Sequence, residues 1–436
     1  MSSPPRLSAG PAAPAAPVSV PTVAARRSLL RQLRASDLRG MARLATQATV
    51  GISRVAEGVH QSVLGTLGLP GGAQPGRARG LTGMVYQSIR GVTQVVDIGL
   101  QAGLARLEPF FAPHTADTSV LWEREAIVAA LNGVMGDRLQ QDNNPLCTRM
   151  GFYQAGRPLD VQALGATKDA TGKVLVLLHG LCMNDLQWLR AGHDHGSYLA
   201  HALGYTPVYL RYNTGLHTST NGAELSAMLE SLVASWPVPV TEIAMLAHSM
   251  GGLVARSACH HAAHGVAPVG GSNWLPLLRH LVFLGTPHHG APMERAGHWV
   301  DVLLGSTLYS RPFTRLAQLR SAGITDLRYG HVVDADWQGL DRFRTFPDRR
   351  ALVPLPPRVA CYALAGTLAA RRSPVAERLI GDGLVPLHSA LGVHEDPARD
   401  LHFAKRRQAV FYRVGHLALL GDEAVARQLV QWMEPV

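Results

Sequence analysis

The sequence predicts an α/β fold, a mostly parallel sheet with helices on both faces, for residues 146–436. Three observations predict it: six short apolar runs rich in Val, Leu and Ile, helical patterns between several of them, and chemistry-bearing residues where the runs end. The runs are 174–178, 206–212, 242–247, 279–284, 359–365 and 408–414. They do not alternate apolar with polar, so each strand is buried on both faces, as in a parallel sheet joined by crossover helices. The helices are expected over 186–203, 223–236 and 252–264, with a last one over 422–433. Ahead of them, 150–154 and 159–163 read as a short hairpin about Gly156-Arg157-Pro158.

One interval breaks this rhythm. More than seventy residues separate the run ending at Leu284 from the one starting at Val359, where connections are normally far shorter. Helical fragments at 299–304 and 312–319 make it a helical cap insertion over about 290–357, above the strand ends.

The first 145 residues have another texture. The Pro/Ala/Ser-rich start and the glycine-rich cluster 70–80 frame a basic, largely disordered arm, residues 1–80. Within it, leucines and arginines over 28–48 can form an amphipathic helix, which either binds an anionic lipid surface or packs its leucines on the core. Residues 81–145 are a helical N-terminal extension, with apolar residues at helical spacing over 85–107 and again over 120–139.

The formal charge of +10 is uneven. Ten arginines against Asp37 and Glu57 lie within the first eighty residues, so the rest is close to neutral and no nucleic-acid partner is expected. Lysine occurs only at 168, 173 and 405; the preference for Arg reads as coding bias and not as phosphate recognition. The four cysteines, 147, 182, 259 and 361, form neither a disulfide framework nor a zinc pattern. Pro14, Pro17 and Pro21 interrupt the only apolar N-terminal stretch, and no uncharged run reaches the ~20 residues needed to span a bilayer. The expected location is cytoplasmic, with peripheral attachment to a lipid surface as the arm's alternative role.

The sharpest chemical signal is Ala247-His248-Ser249-Met250-Gly251-Gly252, which follows an apolar run and opens a helical one. That context lifts a serine hydroxyl above a sheet on a strained turn, and it needs small residues two before and two after the serine. Ser249 is therefore the candidate nucleophile. Upstream, His179-Gly180-Leu181-Cys182 ends another apolar run, where a tight turn can aim backbone N–H groups at a developing oxyanion. The expected donors are Met250 N–H and Leu181 N–H, with Cys182 as the alternative to Leu181. His179 is read as structural. An acid and a histidine should follow in that order. Asp382, flanked by Gly381 and Gly383, and His416, in Gly415-His416 after the last strand, fill those places. His388, His394 and His402, and Glu377, Glu395, Asp396 and Asp400, are rivals in polar loop positions away from strand ends. His193/His195 and His260/His261/His264 lack a completing carboxylate, so no metal is expected, and no phosphate loop or dinucleotide fingerprint calls for a cofactor.

Taken together with Gly285-Thr286-Pro287-His288-His289-Gly290 and Asp382-Gly383-Leu384-Val385-Pro386, these motifs resemble those of bacterial lipases and esterases of the α/β-hydrolase fold. They are also similar to the deacylase-type lipases that cleave acyl chains from glycolipid anchors. The resemblance covers residues 146–436 and implies a serine ester hydrolase acting through an acyl-enzyme on lipid or long-chain esters. It also implies that His288 and His289 border the site without being catalytic. Ala247 replaces the more usual glycine. An acyltransferase, an intracellular polyester depolymerase and a non-catalytic lipid-binding protein remain as alternatives.

Overall fold

The computed structural model describes residues 36–45, 118–167, 169–264, 274–291, 321–342, 347–370 and 381–434. Within them a mixed sheet runs in the order β2-β1-β4-β3-β5-β6-β7-β8. Its strands are β1 (Gly151–Gln154), β2 (Arg157–Pro158), β3 (Lys173–Leu178), β4 (Thr206–Arg211), β5 (Glu242–His248), β6 (Leu278–Leu284), β7 (Ala360–Thr367) and β8 (Gln408–Tyr412). From β4 to β8 all pairings are parallel, and β1 joins antiparallel to β4. The helices are α1 (Thr118–Gln141), α2 (Val161–Thr167), α3 (His195–Leu203), α4 (Thr218–Ser235), α5 (Met250–His264), α6 (Ala322–Tyr329), α7 (Leu387–Ala390) and α8 (Glu423–Met433).

The six predicted runs all form strands, and the two faces of the sheet explain why they are apolar throughout. On β3, Val174, Val176 and Leu178 pack with Leu225 and Leu229 of α4 and Val254 and Ala258 of α5. The intervening Leu175 and Leu177 pack with Leu199 of α3 and Leu429 of α8 on the other face. Every one of these side chains leaves water, at about 1.5–3 kcal/mol for each large aliphatic group buried. A polar residue on either face of β3 has no exposed side to turn to.

The register decides where function can sit. Leu178 pairs with Ala247, His248 with Leu284, and Leu284 with Leu364. The carboxyl ends of β3, β5, β6 and β7 therefore lie level along one edge. Strand order also reverses at β3, which has β4 on one side and β5 on the other. Ligands of open parallel sheets bind in the crevice outside such a switch point.

Two local expectations are corrected. The second arm of the hairpin is only the two residues of β2, because Pro158 supplies no N–H for a longer ladder and Asp160 caps α2 instead, accepting from Ala163 N at 3.0 Å. The helix expected over 186–203 divides into a 3-10 turn, Asp185–Trp188, capped by Asn184, and α3, capped by Asp194. Two capping residues within one apolar pattern start two helices.

Helix α1 occupies the predicted 120–139 and kinks at Met135, whose φ of −144° is non-helical. Residues 36–45, also helical, dock on it: Arg124 Nε donates to Asp37 Oδ2 at 2.7 Å and Asn144 Nδ2 to Gly40 O at 3.1 Å, with Leu44 against Leu131, Leu139 and Leu146. The rest of the arm and the pattern over 85–107 lie outside the described residues, as do the cap fragments 299–304 and 312–319. The described part of the insertion contains α6, whose Gly323 N donates to Gly215 O at 3.1 Å, placing it over the end of β4. No helix among the described residues is long and apolar enough to cross a membrane.

Candidate active site

Ser249 stands between the last residue of β5 and the first of α5. Its φ of 55° lies in the left-handed region, which costs a side-chain-bearing residue about 1–3 kcal/mol. The turn is fixed from both sides: Ser249 N donates to Leu284 O at 2.8 Å, and Ser249 O accepts from Gly252 N at 3.0 Å. The small neighbours are needed because α5 nearly touches β3. A Cβ on Gly251 would lie 2.5 Å from Leu178 O and 2.8 Å from His179 O, both backbone atoms. Ala247, fully buried between Leu178 and Phe283 of the adjacent strands, meets the same demand on the strand side. Ser249 itself is 1% exposed, and its Oγ has no hydrogen-bond partner among the described residues. A buried hydroxyl is rarely left so.

Asp382 and His416 meet beside this turn. His416 Nδ1 donates to Asp382 Oδ2 at 2.7 Å, with both side chains buried. The other carboxylate oxygen, Oδ1, accepts from Leu384 N at 3.0 Å and Val385 N at 2.8 Å, so each oxygen has a fixed task. His416 N also donates to Asp382 O at 3.0 Å, which ties the two loops together through the backbone. The imidazole is delivered to the elbow by His248, whose ring lies 4.6 Å from that of His416 and whose Nε2 donates to His416 O at 3.1 Å. Gly285 at the end of β6 (φ 58°) makes room: a Cβ there would lie 3.1 Å from Asp382 Oδ2 and 3.2 Å from His416 Nδ1.

The loop after β3 closes the other side. A Cβ on Gly180 would lie 3.0 Å from Ser249 Cβ and 3.1 Å from His248 Nδ1, so this loop passes directly by the elbow. Of the two candidate donors in it, the Cys182 amide is engaged, donating to Thr214 Oγ1 at 3.1 Å. No acceptor among the described residues takes the Leu181 or Met250 amide. His179 is a structural residue: its ring stacks on Tyr212 at 4.4 Å, its Nδ1 donates to Gly180 O at 3.0 Å, and burial lowers its pKa to about 3. Burial, then the proximity of His416, likewise holds His248 well below the usual histidine range. Burial disfavours the charged form of both rings.

Residues 169–351 match the family model described as PGAP1-like alpha/beta domain. Over that part, less than half of its length, the chain is similar to a PGAP1-like alpha/beta domain, in keeping with its mostly parallel sheet. Among solved structures, the mature lipase BlEst2 of Bacillus licheniformis is similar at 19% identity, with 59% of this chain and 91% of that one covered and a TM-score of 0.37. A lipase-esterase related protein of Clostridium acetobutylicum has 12% identity over 66% of this chain and all of its own, with a TM-score of 0.35. A serine hydrolase of carbazole degradation has 12% identity over 61% and 91%, with a TM-score of 0.31. No curated protein matches the sequence.

Four of the rival residues are engaged in local contacts. His402 Nδ1 lies 3.2 Å from Asp400, His394 Nδ1 accepts from Asp396 N at 3.0 Å, and Asp396 Oδ1 accepts from Ala398 N. Glu377 lies outside the described residues. His193 Nε2 donates to His195 Nδ1 at 2.9 Å, and His195 Nε2 donates to Leu419 O at 2.9 Å, which anchors the segment following His416. His260 stacks on His264 on the surface of α5. The roles of His195, His248 and Thr214 were not visible in the sequence. Each acts through a contact to a backbone or side-chain atom distant in the chain, which no local spacing records.

Proposed function

We propose that the chain is a carboxylic ester hydrolase acting through an acyl-enzyme at Ser249. The observation that carries this reading is the strained, buried and unpartnered Ser249 hydroxyl beside the hydrogen-bonded His416–Asp382 pair. Because Asp382 takes the proton-bearing Nδ1 of His416, the Nε2 of a neutral ring is left as the basic nitrogen. Nε2 accepts the Ser249 proton as Oγ attacks the ester carbonyl, then returns it to the leaving alcohol. Asp382 holds the tautomer and stabilises the imidazolium. The Met250 and Leu181 amides receive the oxyanion. Water, activated by the same histidine, then releases the acid.

A lipid or long-chain ester is the favoured substrate. Leu181, Met250, Ile324, Leu327, Leu384 and Val385 belong to one buried apolar cluster next to the elbow, and this apolar setting favours an acyl chain over a polar one. For the arm, the docking of residues 36–45 on α1 through Asp37 and Leu44 supports packing on the core over attachment to a lipid surface.

The test is labelling with a fluorophosphonate and hydrolysis of p-nitrophenyl butyrate. The native protein should be labelled at Ser249 alone. Ser249→Ala should lose about 10⁴-fold or more in kcat while keeping its circular dichroism spectrum. An alanine variant as active as the native protein refutes the reading.

A further inference from the structure

Two turns along α5 from the elbow, a cavity of about 400 Å³ opens between α5, the loop after β6 and the segment before β7. It is in the size range of small-molecule sites. Arg256 is seven positions beyond Ser249, about 10 Å at the helical rise, and Ser249 is not part of the cavity lining. Two of its side chains lack what burial normally requires. Arg256 is 5% exposed, yet only a carbonyl is seen to accept from it: Nη2 donates to Val353 O at 2.6 Å, and Nε has no partner among the described residues. No carboxylate among those residues lies within ion-pair distance of it. His288, fully buried between the rings of Phe283 and Phe403, has neither ring nitrogen partnered among the described residues.

The nearby acids make no ion pair with Arg256, although Asp336 offsets part of its charge from a distance. Asp336 shares the cavity, but its oxygens accept from Val332 N, Val333 N and Ala351 N at 2.7–3.0 Å. Asp400 is taken by His402 N at 2.7 Å. A further cation faces in from the rim: Arg350 donates from Nη1 to His288 O at 3.1 Å, while its Nε and Nη2 share Asp348 with Arg399. Burial, then the nearness of Arg350, lowers the Arg256 pKa to about 10, which leaves it charged at neutral pH. A buried cation with no carboxylate in direct contact among the described residues, beside an imidazole whose nitrogens have no partner there, is a donor set suited to an anion.

We propose that the cavity lined by Arg256, His288 and Arg350 is a binding site for a phosphate-type oxyanion, separate from Ser249. A guanidinium and an imidazole from different elements lining one cavity suit a tetrahedral group with several acceptor oxygens. Val332, Val353 and Leu355 give the same cavity an apolar wall, against which the carbon skeleton of a phosphate ester would lie. The anion is either free phosphate or the phosphate of a lipid head group. This inference does not rest on ester hydrolysis, and its test reads no turnover.

The experiment is thermal unfolding and isothermal titration calorimetry of the full chain with inorganic phosphate and with glycerol 3-phosphate, against sodium chloride at equal ionic strength. Saturable binding should raise Tm by about 3 °C or more at saturation, and Arg256→Met should lose that rise. His288→Phe, which keeps the packing between Phe283 and Phe403, should weaken binding at least tenfold and decides the matter if Arg256→Met does not fold. Tighter binding of glycerol 3-phosphate assigns the site to a head group, and equal or weaker binding assigns it to the free ion. No response beyond that of sodium chloride, or a full response in both variants, overturns the site.

Discussion

Replacing Asp382 by Asn tests the arrangement at its most constrained point. Asp382 Oδ1 already accepts from the Leu384 and Val385 amides, and Oδ2 accepts from His416 Nδ1. An asparagine must keep its oxygen toward the two backbone N–H groups, since its NH₂ would clash there donor against donor. The NH₂ then faces His416 Nδ1, which can pair with it only as an acceptor. The ring proton moves to Nε2, the nitrogen that has to receive the Ser249 proton. The side chain keeps its size and backbone partners, so the fold should survive. The loss should fall on kcat, about 10⁴-fold as in other triads, equivalent to about 5.5 kcal/mol of barrier. The assay is kcat and KM on p-nitrophenyl butyrate from pH 6 to 10, with the same change at Asp396 and Asp400 as controls expected to stay within threefold. A kcat within tenfold of native for Asp382→Asn, or a larger loss at either control, would refute the tautomer argument and move the acid elsewhere.

Two further outcomes follow from the same geometry. Gly251→Ala should destabilise by about 1–3 kcal/mol, read as a lower urea midpoint, because its Cβ meets the backbone oxygens of Leu178 and His179 with no side chain to rotate away; an unchanged midpoint would show that α5 and β3 are not held that close. Burial lowers the pKa of His179 to about 3 and of His195 to about 4. Below the unfolded value of about 6.5 the unfolded chain therefore takes up protons that the folded one refuses. Stability should be level above about pH 7 and fall steadily from about pH 6.5 toward pH 4 at about 1.4 kcal/mol per unit for each such histidine, and a urea midpoint constant from pH 7 to 4.5 would contradict this.

What was legible in the sequence is what sterics forces into short windows. Ser249 could be read because the elbow demands Ala247 and Gly251 at fixed offsets between a strand and a helix. That Asp382 and His416 meet was expected from the chain order that goes with such an elbow. The strands were legible because burial on both faces leaves no polar alternation. The hairpin was misjudged because Pro158 and Asp160 outweigh the apolar pattern around them. The contacts that assemble the site were not legible. His248 reaches His416 across 168 residues and Thr214 reaches Cys182 across 32, and a pattern at spacing two or 3.6 carries nothing about either.

The helical extension looked featureless in sequence, yet it bears on the loop that the proposed chemistry needs. Gly133 of α1 has no room for a Cβ, which would run into Cys182 Sγ and, at 2.9 Å, the Cys182 amide nitrogen. Ser321 Oγ donates to Gly133 O at 2.6 Å, and Asn213 Nδ2 donates to Gly136 O at 3.0 Å beside the kink at Met135. One turn of α1 is thus clasped by the loops after β3 and β4 and by the residue that caps α6. Cys182 lies at a φ of 58°, a conformation the loop adopts at a cost and keeps only if its surroundings impose it. Leu181, immediately before it, carries the proposed oxyanion donor, and such a donor works only when held within about 0.5 Å of its target. On that mechanism the position of an amide at the end of β3 depends on a helix that precedes the whole sheet in sequence. On the proposed mechanism, α1 would then take part in holding the site, although it lies on the other side of the change in sequence texture near residue 145.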